Sequence, residues 1–244
     1  MTTDLPIPDS MESRLAAIRT RMAAACARAG RASAEVALLP VSKTFGVEAV
    51  RQAMALGLRR FGENKTQEIR QKAAQFEADG PQWVMIGHLQ TNKARDAARL
   101  AAEVQSLDRL DLARELDLRL QKEGRALDVL VQVKTSPEPS KFGLDPAALP
   151  AFLRELAAFH SLRPRGLMTL AVQSDDPQAV RECFCCLRMW RGRLREDGFL
   201  GLERLSMGMS GDFELAIEEG STEVRIGSAI FGARSYPARL PGGA

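Results

Sequence analysis

Lys43 is the residue whose setting first suggests chemistry. It follows Leu38-Leu-Pro-Val-Ser42, an apolar run expected to be buried on both faces. An ammonium at the end of such a run is partly desolvated, which lowers its pKa and makes the amine a usable nucleophile, as Schiff-base formation with an aldehyde requires. A solvated lysine leaving a strand is the competing reading. Two stretches near the other end of the chain bear on the choice. Ser206-Met-Gly-Met-Ser-Gly-Asp212 and Arg225-Ile-Gly-Ser-Ala229 each place small residues where a strand would pass into a helix. Small residues let backbone N–H groups approach an anion, and a helix N-terminus favours negative charge. Ser210, Gly227 and Ser228 are therefore the expected phosphate contacts. A glycine-rich turn is usually only a turn, so the weight rests on finding two of them. Arg225 lies two residues before Gly227 and shares its face of an extended strand. An inward arginine needs an acceptor. That acceptor is either a pyridine ring nitrogen or a carboxylate such as Glu223 or Asp212. An amine, a phosphate cradle and an arginine for a pyridine nitrogen together describe pyridoxal 5′-phosphate (PLP).

These residues need a scaffold that brings both ends of the chain together. Eight short apolar runs read as strands: Val36–Lys43, Arg59–Asn64, Gln82–His88, Glu103–Asp108, Leu127–Thr135, Pro164–Leu170, Glu203–Gly208 and Glu223–Gly227. Helical patterns lie between most of them, and several end at a glycine, as C-caps often do. Alternation of this kind implies parallel strands joined by right-handed crossovers, and eight units in about 200 residues is the arithmetic of a single-domain (β/α)8 TIM barrel. A doubly wound open sheet is the competing fold. An additional N-terminal helix is expected over about residues 10–30, with Leu15, Ile18, Met22 and Cys26 on one face. In a barrel the site lies at the C-terminal strand ends. Those ends read Lys43, Asn64, His88, Asp108, Lys134, Thr169, then Gly208 with Ser210 and Gly227 with Ser228.

Composition bounds the function. The chain has 244 residues, 45% hydrophobic and 27% charged, which is enough apolar surface for a packed core. A net charge of +3 gives no case for a nucleic-acid binder. No apolar run is long enough to span a bilayer. The start, MTTDLPIPDS, lacks the pattern of a secretory signal. Four cysteines are too few for a disulfide scaffold, so the protein reads as cytoplasmic. Cys183 and Cys186 formally make a C-x-x-C, but within a helical pattern and without a second pair they argue for packing rather than zinc. No metal site is expected.

The stretches Val41-Ser-Lys-Thr44, Phe61-Gly-Glu-Asn64, Ile86-Gly-His-Leu-Gln90 with Asn92-Lys93, Ser206-Met-Gly-Met-Ser210 and Val224-Arg-Ile-Gly227 followed by Ile230-Phe-Gly232 resemble the YggS/PROSC family of PLP homeostasis proteins. The likeness runs from Val36 to Tyr236 in the family's order. It implies a barrel like the N-terminal domain of alanine racemase, with PLP on Lys43 and Arg225 at the ring nitrogen. It further implies Asn64 near the ring, Ser210, Gly227 and Ser228 at the phosphate, and Ile86, His88 and Met207 lining the pocket. The implied role is to bind, buffer or deliver PLP without catalytic turnover. The implied partners are PLP, other B6 vitamers and PLP-dependent apo-enzymes. One departure is Phe45, where family members often carry a second lysine; Lys141 still matches a family lysine.

Physical chemistry adds a comment on catalysis. Arginine stays protonated at physiological pH. Facing a pyridine nitrogen it donates, and an unprotonated ring is a poor electron sink. Racemases of this barrel type add a tyrosine from a further β domain. The given chain ends soon after its eighth run and has one tyrosine, Tyr236, so a carrier is expected ahead of the alternative, a PLP-dependent amino-acid racemase. A barrel enzyme acting on a phosphorylated sugar is a third reading. A barrel without a partner domain is expected to be monomeric.

Overall fold

The Ser10 hydroxyl accepts the Ser13 N–H at 3.1 Å and opens helix α1 (Met11–Arg28); Gly30, at φ +64°, turns the chain out of it. The face carrying Leu15, Ile18, Met22 and Cys26 is buried, as its spacing predicts. The computed structural model describes residues 10–77, 79–139 and 141–232. Tyr236 and the C-terminal PARLPGGA lie outside the described residues.

Eight strands follow: β1 (Ala37–Pro40), β2 (Arg60–Glu63), β3 (Gln82–Met85), β4 (Ala101–Leu107), β5 (Leu127–Gln132), β6 (Leu162–Met168), β7 (Arg204–Ser206) and β8 (Glu223–Ile226). Between and after them lie α2 (Val47–Ala55), α3 (Thr66–Ala73), α4 (Ala94–Leu100), α5 (Leu110–Lys122), α6 (Leu149–Leu156), α7 (Pro177–Glu196), α8 (Phe213–Glu218) and α9 (Ser228–Phe231). All strand pairs are parallel, in the order β1-β8-β7-β6-β5-β4-β3-β2. A bridge between Val41 and Gly62, with the Ser42 N–H donating to the Gly62 carbonyl at 3.0 Å, joins the two ends. The sheet thus curls into the expected (β/α)8 barrel, with its helices outside.

Most strands are shorter than the apolar runs suggest; β4 instead starts two residues earlier than expected, and β6 lies two residues nearer the N-terminus. The first run extends to Lys43, yet the ladder stops at Pro40 with one bridge at Val41, so Lys43 stands on a turn beyond the strand. Helix α4 escapes a hydrophobic-periodicity reading because its buried face is made of alanines, Ala94, Ala97 and Ala98. No helix among the described residues is long and apolar enough to cross a membrane.

The β6–β7 contact has no room for a side chain at Gly166, where a Cβ would lie 2.0 Å from the Arg204 carbonyl oxygen. Gly192, within α7, faces open space. Gly166→Ala is expected to destabilise the barrel by about 2–3 kcal/mol. Gly192→Ala is expected to stabilise it by about 0.5–1 kcal/mol. Urea unfolding of both variants checks the contrast; equal effects would contradict this register.

Candidate functional site

At the C-terminal ends of the strands lies a cavity of about 500 Å³, within the range typical of small-molecule sites. Eight of the nine residues expected from sequence line it. Lys43 reaches it half-buried from the turn after β1, Asn64 follows β2, and Ile86 and His88 follow β3. Ser210 comes from the loop after β7, and Arg225, Gly227 and Ser228 come from β8 and the start of α9. Gly87 holds β2 and β3 together here: a Cβ on it would meet the Asn64 carbonyl at 2.3 Å.

Met207 is the exception. It is fully buried in the core and absent from the cavity wall, which Met209 lines instead. Gly208, at φ +96°, reverses the chain between the two, so the second methionine of the motif faces the ligand space. Gln132, Phe142 and Leu170 also line the cavity without having been singled out from sequence. Phe142 arrives on the loop after β5 and stacks on the His88 ring, 4.0 Å between centroids, while His88 Nδ1 lies 3.8 Å from Asp108 Oδ2. An aromatic in a polar loop carries no local periodicity that would have marked it.

Arg225 forms the floor. It is 3% exposed, and neither Glu223 nor Asp212 pairs with it directly. Its NH1 donates to Ser206 Oγ at 2.8 Å and its NH2 to the Thr169 carbonyl at 2.7 Å. Burial pushes the guanidinium down to about 10, against the charges of Glu223 and Asp212. It remains a cation at neutral pH. Two of its five N–H donors are bonded to Ser206 and Thr169, and the residue lines the cavity.

The polarity of the interior below Arg225 follows from this. Ser206 Oγ accepts from the arginine, so its own proton goes to Gln105 Oε1, 2.7 Å away. The Gln105 amide nitrogen then donates to Glu103 Oε1 at 2.7 Å and to Glu223 Oε1 at 2.5 Å. Two arginines close the set. Arg60 contacts Glu223 at 2.6 Å and Glu103 at 2.8 Å; Arg204 contacts the same two at 3.0 and 2.7 Å. A hydrogen-bonded column thus runs from a neutralised ionic layer near the strand starts up to the cavity floor.

The opposite wall suits an anion. The Arg225 N–H donates to the Gly208 carbonyl at 2.9 Å, which draws the β7 loop against β8. Asp212 Oδ1 accepts the Met209 N–H at 2.5 Å and turns Ser210 and Gly211 toward the cavity. The first amides of α9, at Ser228 and Ala229, have no acceptor within their helix. A Cβ on Gly227 would crowd the Val41 carbonyl at 3.2 Å, so backbone rather than side chain faces this pocket. An amine, a buried guanidinium and a cradle of small residues in one cavity fit PLP. Among the described residues no group of three His, Cys, Asp or Glu side chains could hold a metal ion. Cys183 is buried within α7, its thiol 3.5 Å from the Thr135 carbonyl.

The same barrel is found in known proteins. The sequence profile of the family "Alanine racemase, N-terminal domain" matches residues 13–235. The chain is 44% identical to the pyridoxal phosphate homeostasis protein of Pseudomonas aeruginosa, over 94% of this chain and 98% of that one. It is 39% identical to the protein of the same name from Aquifex aeolicus, over 91% of this chain and 98% of that one. PipY of Synechococcus elongatus, solved with PLP bound, superposes with a TM-score of 0.81 at 34% identity, covering 91% of this chain and all of that one. An alanine racemase of Clostridium difficile superposes at 0.73 with 14% identity, covering 94% of this chain and 58% of that one; it shares the fold.

The ionic layer has a pH signature. Burial alone would raise the Glu223 carboxyl, but Arg60 and Arg204 outweigh it and hold the group below the usual carboxylate range. Its stabilising contribution is therefore complete above the unfolded value of about 4.3 and lost as pH falls through the folded value. Glu223→Gln is expected to cost about 3–5 kcal/mol at pH 7. It should also flatten the loss of stability below about pH 4.3. Urea titrations between neutral pH and pH 3 read both effects. An unchanged acid slope would contradict the pairing.

Proposed function

Because this chain belongs to the pyridoxal phosphate homeostasis protein family, we propose that it binds PLP in the cavity at the C-terminal strand ends and carries it on Lys43 without turning over a substrate. The observation that supports this best is the convergence of Lys43, Arg225, Ser210 and Ser228 on one cavity, from opposite ends of the chain. When bound, PLP supplies an aldehyde that condenses with a primary amine, forming a carbon–nitrogen double bond and releasing one water. In this reading Lys43 is that amine. Arg225, a cation at neutral pH, donates to the ring nitrogen, and Asn64 and His88 flank the ring. Ser210, Gly227 and Ser228 hold the phosphate through hydroxyl and amide donors.

Electrostatics favour storage over turnover. A guanidinium donor leaves no proton on the ring nitrogen, so the ring is a weak sink for electrons. Besides Lys43 and Arg225, the described cavity wall offers one titratable side chain, His88, and its ring is stacked on Phe142. The cofactor's destination in this reading is PLP-dependent apo-enzymes, and other B6 vitamers bearing the phosphate would compete for the cradle.

Purified protein saturated with PLP is expected to turn yellow, and borohydride should fix one PLP per chain. Lys43→Ala should lose the fixed label while retaining weaker, reversible binding through the cradle. An adduct that survives this substitution at full stoichiometry would falsify the assignment of Lys43. Solvent deuterium entering Cα of alanine or serine with turnover, and dependent on Lys43, would overturn the carrier reading in favour of a racemase.

A further inference from the structure

The turn that presents Lys43 is held in a conformation that its own sequence disfavours. The Phe45 N–H donates to the Ser42 carbonyl at 3.0 Å and closes a four-residue turn with Lys43 and Thr44 at its centre. Thr44 has φ +69°, the only positive φ at a non-glycine position among the described residues. A turn whose third residue has positive φ is type II and calls for glycine or asparagine there. A β-branched residue in that position is an outlier, and strain of this kind persists only where the surroundings over-determine it.

Three side chains outside the turn do so. Lys72, on α3, donates from Nζ to the Ser42 carbonyl at 2.8 Å and to Glu63 Oε1 at 2.5 Å. Ser42 Oγ donates to the same Glu63 oxygen at 2.6 Å. These bonds anchor the first residue of the turn, and Ser42, Glu63 and Lys72 are all buried. The third grip is Glu68, one helical turn before Lys72. Its Oε2 accepts the Thr44 N–H at 2.9 Å and lies 3.9 Å from Lys72 Nζ.

That last bond chooses between two turns. Types I and II share the hydrogen bond from first carbonyl to fourth N–H and differ by a flip of the central peptide, here Lys43–Thr44. In the type II form the Thr44 N–H meets the Glu68 carboxylate. In the type I form, which threonine prefers on its own, the Lys43 carbonyl would swing toward that carboxylate and be repelled. We propose that Glu68 is a positioning residue for Lys43: by accepting the Thr44 N–H it selects the strained peptide orientation and holds the turn from which the amine enters the cavity.

This inference rests on Lys43 being the PLP-bearing residue, and its test separates the two. PLP is added to the full chain, adduct formation is followed by absorbance, and the borohydride-fixed label is mapped to its lysine by peptide mass spectrometry. Glu68→Ala is expected to slow adduct formation about tenfold, the scale of one strained residue. Glu68→Gln, which keeps an acceptor oxygen, should stay within about threefold of wild type. Thr44→Gly adopts positive φ without help, so in that background Glu68→Ala should cost less than about threefold. A role for Glu68 confined to stabilising α3 would not be relieved by glycine at position 44. Equal costs in the two backgrounds, or no cost in the wild-type background with the label on Lys43, would overturn the proposal. Thr44→Gly alone should not lower the melting midpoint, and a marked fall would equally overturn it. A label mapped to another lysine would instead remove the reading on which it rests.

Discussion

A buried guanidinium with no carboxylate against it is the constraint on which this barrel turns. Removing the Arg225 charge from water is costly, and its direct partners, Ser206 Oγ and the Thr169 carbonyl, are neutral. Compensation arrives one layer down. Gln105 relays the polarity of Ser206 to Glu103 and Glu223, and Arg60 and Arg204 neutralise those two carboxylates. Every member of the column accepts or donates in one sense only, because arginine cannot accept. An apolar barrel interior would have been simpler to pack. It would have left a cation at the cavity floor with nothing beneath it.

The same arginine ties the ends of the chain together. It pairs with Leu39 across the β1–β8 ladder, and its backbone N–H holds the Gly208 carbonyl. The strand that leads to Lys43 and the loops that form the cradle are thereby set around one side chain. Helix α1 and the turn that follows it reinforce this region from outside. Arg14 Nε donates to the Ile230 carbonyl near the end of α9, and Arg31 to the Ile217 carbonyl in α8, each at 2.8 Å. The first bond serves a carbonyl at a helix end, and the second adds to the Gly220 N–H, which already donates to the Ile217 carbonyl at 3.0 Å. The extra N-terminal helix thus serves the last two units of the barrel, where the cradle sits.

Much of the site was legible in the sequence because its parts differ chemically from their surroundings. A lysine after an apolar run, an arginine in a strand and small residues at two junctions stand out one by one, and the family likeness drew in Asn64, Ile86 and His88. Other features depend on backbone geometry that side-chain identity does not encode. The exchange of Met207 for Met209 at the wall follows from the positive φ of Gly208. The strain at Thr44 hides in a residue type that ordinarily avoids it. Glu103, Arg60 and Arg204 sit near strand starts, where charge usually signals solvent, so the ionic layer was not visible until the barrel closed around it. Glu223 and Asp212 make no direct bond to the Arg225 guanidinium. They act on it through space instead.

The protonation state of the ring nitrogen reports most directly on whether this floor meets the cofactor. PLP carrying ¹⁵N in the ring, bound to the protein at neutral pH, gives a nitrogen chemical shift that distinguishes protonated from unprotonated pyridine. With Arg225 as donor, the shift belongs to the unprotonated ring and stays there as pH is lowered toward 6, whereas Arg225→Glu moves it to the protonated value. A protonated ring in the wild-type protein, or a shift indifferent to Arg225, would contradict the arrangement on which everything else depends.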